Sequence, residues 1–183
     1  MGDTVRLFVA IPIPGYVRRR LAELEREMPG LNWVRATNMH LTLKFIGETD
    51  PEQIGPIREF FRSIRVRRFL LGVSGLGVFP PRGNPAVLWA GLGSAHPHLF
   101  QLHKRVNDVL YGWGIEPDRR VYQPHITLAR CKGAAPAAVR NLMKKWEALE
   151  TAPFRVKQFG IYSSELGSRG LFYQCLESYG LEE

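Results

Sequence analysis

Cysteine is scarce in this 183-residue chain, which carries Cys131 and Cys175 alone. Two thiols make neither a disulfide framework nor a cysteine-rich zinc site. Both lie in apolar, strand-like runs, so each is expected as a buried free thiol, in keeping with a reducing compartment. Long apolar runs are missing too. No stretch approaches the ~18 apolar residues of a membrane span, and the opening M-G-D-T-V-R-L-F has no apolar signal core. Arg6 stands where a myristoylation signal wants Ser or Thr. The expectation is therefore a cytoplasmic protein with no membrane partner. Acidic residues are in deficit: 17 Asp and Glu against 25 Lys and Arg leave a formal charge of +8. Such a surplus favours polyanions, nucleic acid foremost. The length suffices for one sizeable domain or for two small lobes sharing a core.

Element types alternate along the chain. R-L-F-V-A-I-P-I (6–13) reads as a wholly apolar strand closed by prolines. Val17, Leu21, Leu24 and Met28 form one stripe of a helix expected over 15–28, ending near Pro29-Gly30. A strand around residue 40 precedes a helix opened by Asp50-Pro51, with Ile54, Ile57 and Phe61 inward. One glycine-bearing strand is expected over 69–79, followed by the turn P-P-R-G-N-P. A strand at 86–92, a helix at 97–112, a strand near 125, a helix at 136–148 and strands near 153–163 and 170–177 complete the reading.

The later elements repeat the earlier ones. His125 follows His40 by 85 residues, and so does Pro136 follow Pro51. The same offset relates Ile54 to Val139, Ile57 to Leu142, Phe61 to Trp146, Phe69 to Phe154 and Gly75 to Gly160. Upstream the offset becomes 80, pairing L-F-V-A (7–10) with V-L-W-A (87–90). Several coincidences of type and order argue for an internal duplication, with approximate halves 1–83 and 84–183. Two copies are too few for a solenoid. The expected outcome is an α+β fold: one bilobal domain over 1–183 with approximate twofold symmetry, antiparallel or mixed sheets, and helices outside.

Within that frame one pattern carries chemistry. M-H-L-T-L-K-F-I (39–46) and Q-P-H-I-T-L-A-R (123–130) each interrupt an apolar strand with His and Thr two residues apart. Residues i and i+2 share a strand face, so His40 and Thr42 point one way while Leu41 and Leu43 point to the core. His125 and Thr127 repeat this. Under twofold symmetry the two pairs face one another across a groove. Two imidazoles titrating near ~6.5 suit in-line phosphodiester chemistry, one ring as base and the other as acid. Threonine hydroxyls can hold non-bridging oxygens. No carboxylate cluster accompanies them, so no metal or other cofactor is expected. A zinc site at His40 and His125 lacks a third ligand. His96, His98 and His103 fall at a helix start and flank, a weaker metal candidate. No Ser or Cys sits in a nucleophile elbow. A lone His-x-Thr is commonly structural; two at matching places reverse that reading.

These motifs, together with R-L-F-V-A-I-P-I-P, V-F-P-P-R-G-N-P-A-V-L-W-A-G-L and the closing I-Y-S-S-E-L and Y-Q-C-L, resemble the 2H phosphoesterases. More narrowly they resemble the bacterial and archaeal RNA 2′,3′-cyclic phosphodiesterases, historically called 2′-5′ RNA ligases. The resemblance implies two α+β lobes around a positively charged cleft. It also implies metal-independent opening of an RNA-terminal 2′,3′-cyclic phosphate to a 2′-phosphate. By that analogy His40 is the proton donor, His125 the proton acceptor, and Thr42 and Thr127 hold the phosphate. The order of the two histidines is not set by the residues themselves. The partner implied is RNA with a cyclic phosphate end, such as tRNA fragments, bound by a monomer. A 2′-5′ ligase or 2′-5′ phosphodiesterase at the same site, a metal hydrolase, and a non-catalytic RNA-binding module are the rival readings. Lys44 shares the nominal face of His40 and Thr42 and is placed near the cleft. Strict alternation points Arg130 away unless a bulge re-aims it. Arg62, Arg65, Arg67 and Arg68 are read as a solvated cluster or an RNA track, and Phe8 and Trp89 as core before base-stacking platforms.

Overall fold

The apolar N-terminal run forms an inner strand, β1 (Val5–Pro12), in which Leu7 to Ile11 are all buried. A strand covered on both faces needs an unbroken hydrophobic sequence, and this one has it. The computed structural model describes residues 4–167 and 170–183, so the reading of the Met-Gly start lies outside the described residues. After β1 come α1 (Gly15–Ala22), β2 (Leu31–Trp33), β3 (His40–Thr49), α2 (Pro51–Phe61), β4 (Phe69–Leu71) and β5 (Val73–Phe79). Then follow β6 (Val87–Leu92), α3 (Pro97–Tyr111), β7 (Ile126–Cys131), α4 (Pro136–Lys145), β8 (Phe154–Val156), β9 (Gln158–Gly167) and β10 (Gly170–Gly180). Pro51, Pro97 and Pro136 each open a helix, where the missing N–H costs nothing. No helix among the described residues is long and apolar enough to cross a membrane.

The architecture is α+β with two lobes. One eight-stranded sheet runs β10-β9-β1-β3-β7-β6-β5, with β2 added against β7, and β4 pairs separately with β8. All of these strand pairs are antiparallel. The lobes meet where Leu41 of β3 pairs with Ile126 of β7, both fully buried and 85 residues apart. Leu70 and Arg155, again 85 apart, face each other in the β4–β8 pair. The lobes do not coincide with the sequence halves. β5 crosses to pair with β6, β2 lies on β7, and β9 returns to β1 with β10 on its outer edge.

Several expectations change. The helix expected over 15–28 stops at Ala22, and Leu24 and Glu25 continue in tight turns bonded to Leu21 and Ala22. Pro29 disfavours helix just before it, and the Arg26 carbonyl accepts the Trp33 indole N–H instead. Leu24 is nevertheless buried. The single strand over 69–79 divides at Gly72, whose neighbours pair with different strands. Cys131 is only half-buried and Cys175 is exposed on the edge strand β10, so neither is a core thiol. Register also revises two offsets. Phe8 lies opposite Phe45 and Val87 opposite Arg130, making the first-strand offset 79 rather than 80. Gly160 lies opposite Ala10 and Gly77 opposite Trp89, so Gly77 and not Gly75 holds the matching place.

Candidate active site

The Leu41–Ile126 pairing determines which side chains share the cleft. Opposed residues in an antiparallel pair lie on the same face and neighbours alternate. With Leu41 and Ile126 in the core, His40 faces Thr127 and Thr42 faces His125 on the opposite side of the sheet. Alternation then fails in both strands, at matching places. Val9 pairs with Lys44 but Ala10 with Thr42, leaving Leu43 as an extra residue of β3. Leu88 pairs with Ala129 but Trp89 with Thr127, leaving Leu128 as an extra residue of β7. Each bulge buries two consecutive residues and turns the next one toward the cleft. Phe45 and Arg130 therefore join the histidine face, and Lys44 leaves it.

Each imidazole is oriented by its own strand entry. The Nδ1 of His40 lies 2.7 Å from the Asn38 carbonyl, and the Nδ1 of His125 lies 2.7 Å from the Gln123 carbonyl. A carbonyl only accepts, so Nδ1 carries the proton in both rings and Nε2 is left for chemistry. His40 packs against Phe8 and edge-on to Tyr173, with centroids at 4.8 and 5.3 Å. His125 stands against Phe79 at 4.9 Å and Trp89 at 5.9 Å. The Trp89 indole in turn lies directly on the backbone of Gly77. Burial pushes both imidazoles below their ordinary pKa, offset in part by the carbonyl bonds. The His125 charge lowers His40 further, and the Arg130 charge lowers His125. Both rings are thus close enough to act on one another, and Arg130 stands beside the pair.

A cavity of about 380 Å³ opens on this face, within the ~300–1,000 Å³ range of small-ligand clefts. His40, Thr42, Thr127 and Arg130 line its floor, and it continues past Arg6, Phe45 and Tyr173. Phe45 is 59% exposed there, an unusual position for a phenyl ring. Burial raises the Tyr173 hydroxyl pKa, and the charges of Arg130 and Arg6 pull it back. The cavity offers one imidazole, two hydroxyls and two guanidinium groups around a space fit for an anion, with the second imidazole close enough to affect the charge of the first.

The structure brings His40, Thr42, His125 and Thr127 together as the sequence anticipates. It removes Lys44, which is 3% exposed on the far side of β3 and pairs with Asp118. It adds Arg130, Arg6, Phe45 and Tyr173, which strand alternation did not reveal; the doubled apolar pair Leu128-Ala129 was the available signal. The basic cluster is not an open track. Arg62 bonds Glu177, Arg65 lies 3.6 Å from Glu182, and Arg68 bonds Glu183 and the Leu181 carbonyl, tying down the C-terminal segment. His96 caps α3, its Nδ1 accepting from the His98 N–H at 3.1 Å. Among the described residues no three His, Cys, Asp or Glu side chains converge as metal ligands. Phe8 is core, stacked on Tyr162, and Trp89 is half-buried beside His125.

Comparison with known proteins points the same way. The family model described as LigT like Phosphoesterase matches residues 11–89 and residues 92–173. An RNA 2′,3′-cyclic phosphodiesterase of Aeropyrum pernix is 35% identical over 145 residues, covering 78% of this chain and 82% of its own. One from Archaeoglobus fulgidus is 28% identical over 178 residues, covering 96% and 99%. The crystal structure of TT0787 of Thermus thermophilus matches with a TM-score of 0.80 at 26% identity, covering 96% of this chain and 97% of that one.

Proposed function

The chain belongs to the LigT-like phosphoesterase family, and from that premise we propose that it opens the 2′,3′-cyclic phosphate at an RNA end to a 2′-phosphomonoester, without a metal ion. The observation that carries this reading is the matched pair of Nδ1–carbonyl bonds, which leaves both Nε2 atoms free on two rings close enough to affect one another's charge. In the proposed step, water oxygen bonds phosphorus as the bond to the 3′ oxygen breaks. The His125 Nε2 accepts the water proton and the protonated His40 Nε2 gives one to the 3′ oxygen. Thr42 and Thr127 donate to the non-bridging oxygens, and Arg130 offsets their charge. His40 ends neutral and His125 protonated, and exchange with solvent resets the pair.

The division of roles is supported by where the room lies. The cavity that can hold a terminal nucleoside extends around His40 toward Arg6 and Tyr173, and the 3′ oxygen must leave on the nucleoside side. His125 is the more exposed ring of the two, the better placed to meet water. The activity named for the Aeropyrum and Archaeoglobus relatives supports the substrate class, and tRNA fragments with cyclic ends, acted on by a monomer in the cytoplasm, complete the reading. We take the chain as one bilobal domain from an internal duplication of about 1–83 and 84–183. The two successive matches of the family model support this, as does the pairing of Leu41 with Ile126.

The test is incubation with RNA ending in a 2′,3′-cyclic phosphate in the presence of chelator. A 2′-monoester is expected. A 3′-monoester, a requirement for added metal, or binding without turnover would overturn the proposal, and a joined 2′-5′ product would favour the ligase reading. His40→Ala and His125→Ala should each lose about 10²–10⁴-fold in rate while remaining folded.

A further inference from the structure

A buried polar cluster on the far side of β3 has no task in the reaction described above. The bulge at Leu43 sends the Lys44 ammonium there, where it donates to the Glu116 carbonyl at 3.0 Å and pairs with Asp118 at 3.0 Å. Asp118 is 62% exposed, so the cation is enclosed while its partner is wet. Enclosing an ammonium is costly, and packing alone would be served as well by methionine. Glu116 and Asp118 belong to the irregular segment 112–125, which leads from α3 into β7 and ends at His125. Much of that segment stands clear of the core, with Val121 95% exposed.

A second tether lies nearer the histidine. The Tyr122 hydroxyl donates to the Thr42 carbonyl at 2.9 Å, and its ring lies flat on His103 of α3 with centroids 3.8 Å apart. Burial raises its pKa well above the ordinary phenol range, so the hydroxyl stays a donor. The next residue, Gln123, supplies the carbonyl that orients His125. Thr42 thus presents its side chain to the cleft and its carbonyl to the segment that carries the second histidine. The positions 85 residues from Lys44 and Tyr122 are Ala129 and Thr37, which offer neither an ammonium nor a phenol. The approach to His40 is held differently, by the short 3-10 turn Ala36–Asn38 and the Asn38 side chain, which donates to the Leu171 carbonyl at 2.9 Å.

We propose that Lys44 and Tyr122 are positioning residues: Lys44 from the first His-Thr strand, and Tyr122 by its bond back to that strand, hold segment 112–125, so that the Gln123 carbonyl aims His125 across the cleft from His40. The inference rests on the phosphodiesterase reading for its kinetic readout but not for its structural one. Tyr122→Phe keeps the ring stack and removes only the bond to Thr42; Lys44→Met keeps the packing and removes both bonds to the segment. Each should lower kcat about ten-fold or more with KM within about twofold, since an ångström of misplacement can cost ~10²-fold. A ¹H–¹⁵N titration of the histidine rings should show His125 moving up toward its ordinary pKa as it loosens into water, with His40 rising less because it loses only the repulsion of His125. Unchanged kcat in both variants, or a His40 shift as large as that of His125, would overturn the proposal. Should Lys44→Met fail to fold, Tyr122→Phe decides. Should the wild type itself not turn over cyclic-ended RNA, the phosphodiesterase reading fails, and the His125 titration alone still decides this one.

Discussion

Gly77→Ala is a single methyl group placed where it should disturb His125 without touching it. A β-carbon at Gly77 would stand 2.1 Å from Cζ2 of Trp89, 2.3 Å from Cη2 and 2.6 Å from Cε2. Carbon atoms rest at about 3.5–4.0 Å, so the rigid indole must retreat by roughly 1 Å or more. Among the described residues its Nε1 has no hydrogen-bond partner, so packing alone holds the ring. Phe79 at 5.1 Å and His125 at 5.9 Å border it, and displacement toward them reaches the histidine. Two effects compete in stability. Gly→Ala at a roomy site gains about 0.4–1 kcal/mol through the unfolded chain, whereas forcing a methyl into packed side chains costs about 1–3 kcal/mol. The clash should win. For a chain of this length the net loss corresponds to a Tm lower by up to about 10 °C. Single-turnover opening of a cyclic phosphate should slow by about 10–10²-fold. Thermal melts and quench-flow on one preparation measure both. A higher Tm would mean the indole has room to move. A lower Tm with an unchanged rate would mean that Trp89 does not support His125. Adding Trp89→Leu should restore much of the stability but not the rate.

Two more outcomes follow from charge. Both imidazoles are held below ~6.5 by burial, and the reaction needs one neutral and one protonated ring. The kcat/KM profile, which reports the free enzyme, should therefore peak below pH 6.5, with kcat peaking higher because the bound phosphate anion raises both groups; a kcat/KM optimum at or above pH 7 would contradict the burial argument. At the other end of the molecule Glu177 receives Arg58 at 2.6 Å and Arg62 at 2.8 Å. Burial raises its pKa, but the two arginine bonds and charges outweigh this and hold it lowered. A depressed carboxyl stabilises the fold above its unfolded pKa of ~4.3 and ceases to do so as pH falls through the folded value. Glu177→Gln should thus cost about 1–2 kcal/mol near neutral pH, and its gap to the wild type in denaturant melts should narrow below pH ~4.

How much of this was legible in the residues follows their range of interaction. Proline at the first helical position, apolar stripes along α2, α3 and α4, and the i, i+2 placement of His and Thr are local properties, and the structure keeps them. Leu24 shows the limit even there: its stripe correctly marked it as core, yet the helix ends before it because Pro29 and the Trp33 indole claim the backbone. Cys175 misled because an apolar strand at a sheet edge reads like one in the middle, and Cys131 because it is the last residue of its strand.

Two His-x-Thr strands at equal spacing, an apolar framework able to bury their alternate residues, and the combination of imidazole with hydroxyl side chains were determined by the chain alone. Whether Lys44 or Arg130 joins the histidines was decided only in three dimensions. A bulge exists when a strand carries one more residue than its partner can match, and that count depends on β1 and β6 as much as on β3 and β7. The same holds for the exchange of β5 with β9 and β10, and for Tyr122 reaching back to Thr42. Such contacts join residues dozens of positions apart, and their energy depends on register and packing that no single segment encodes.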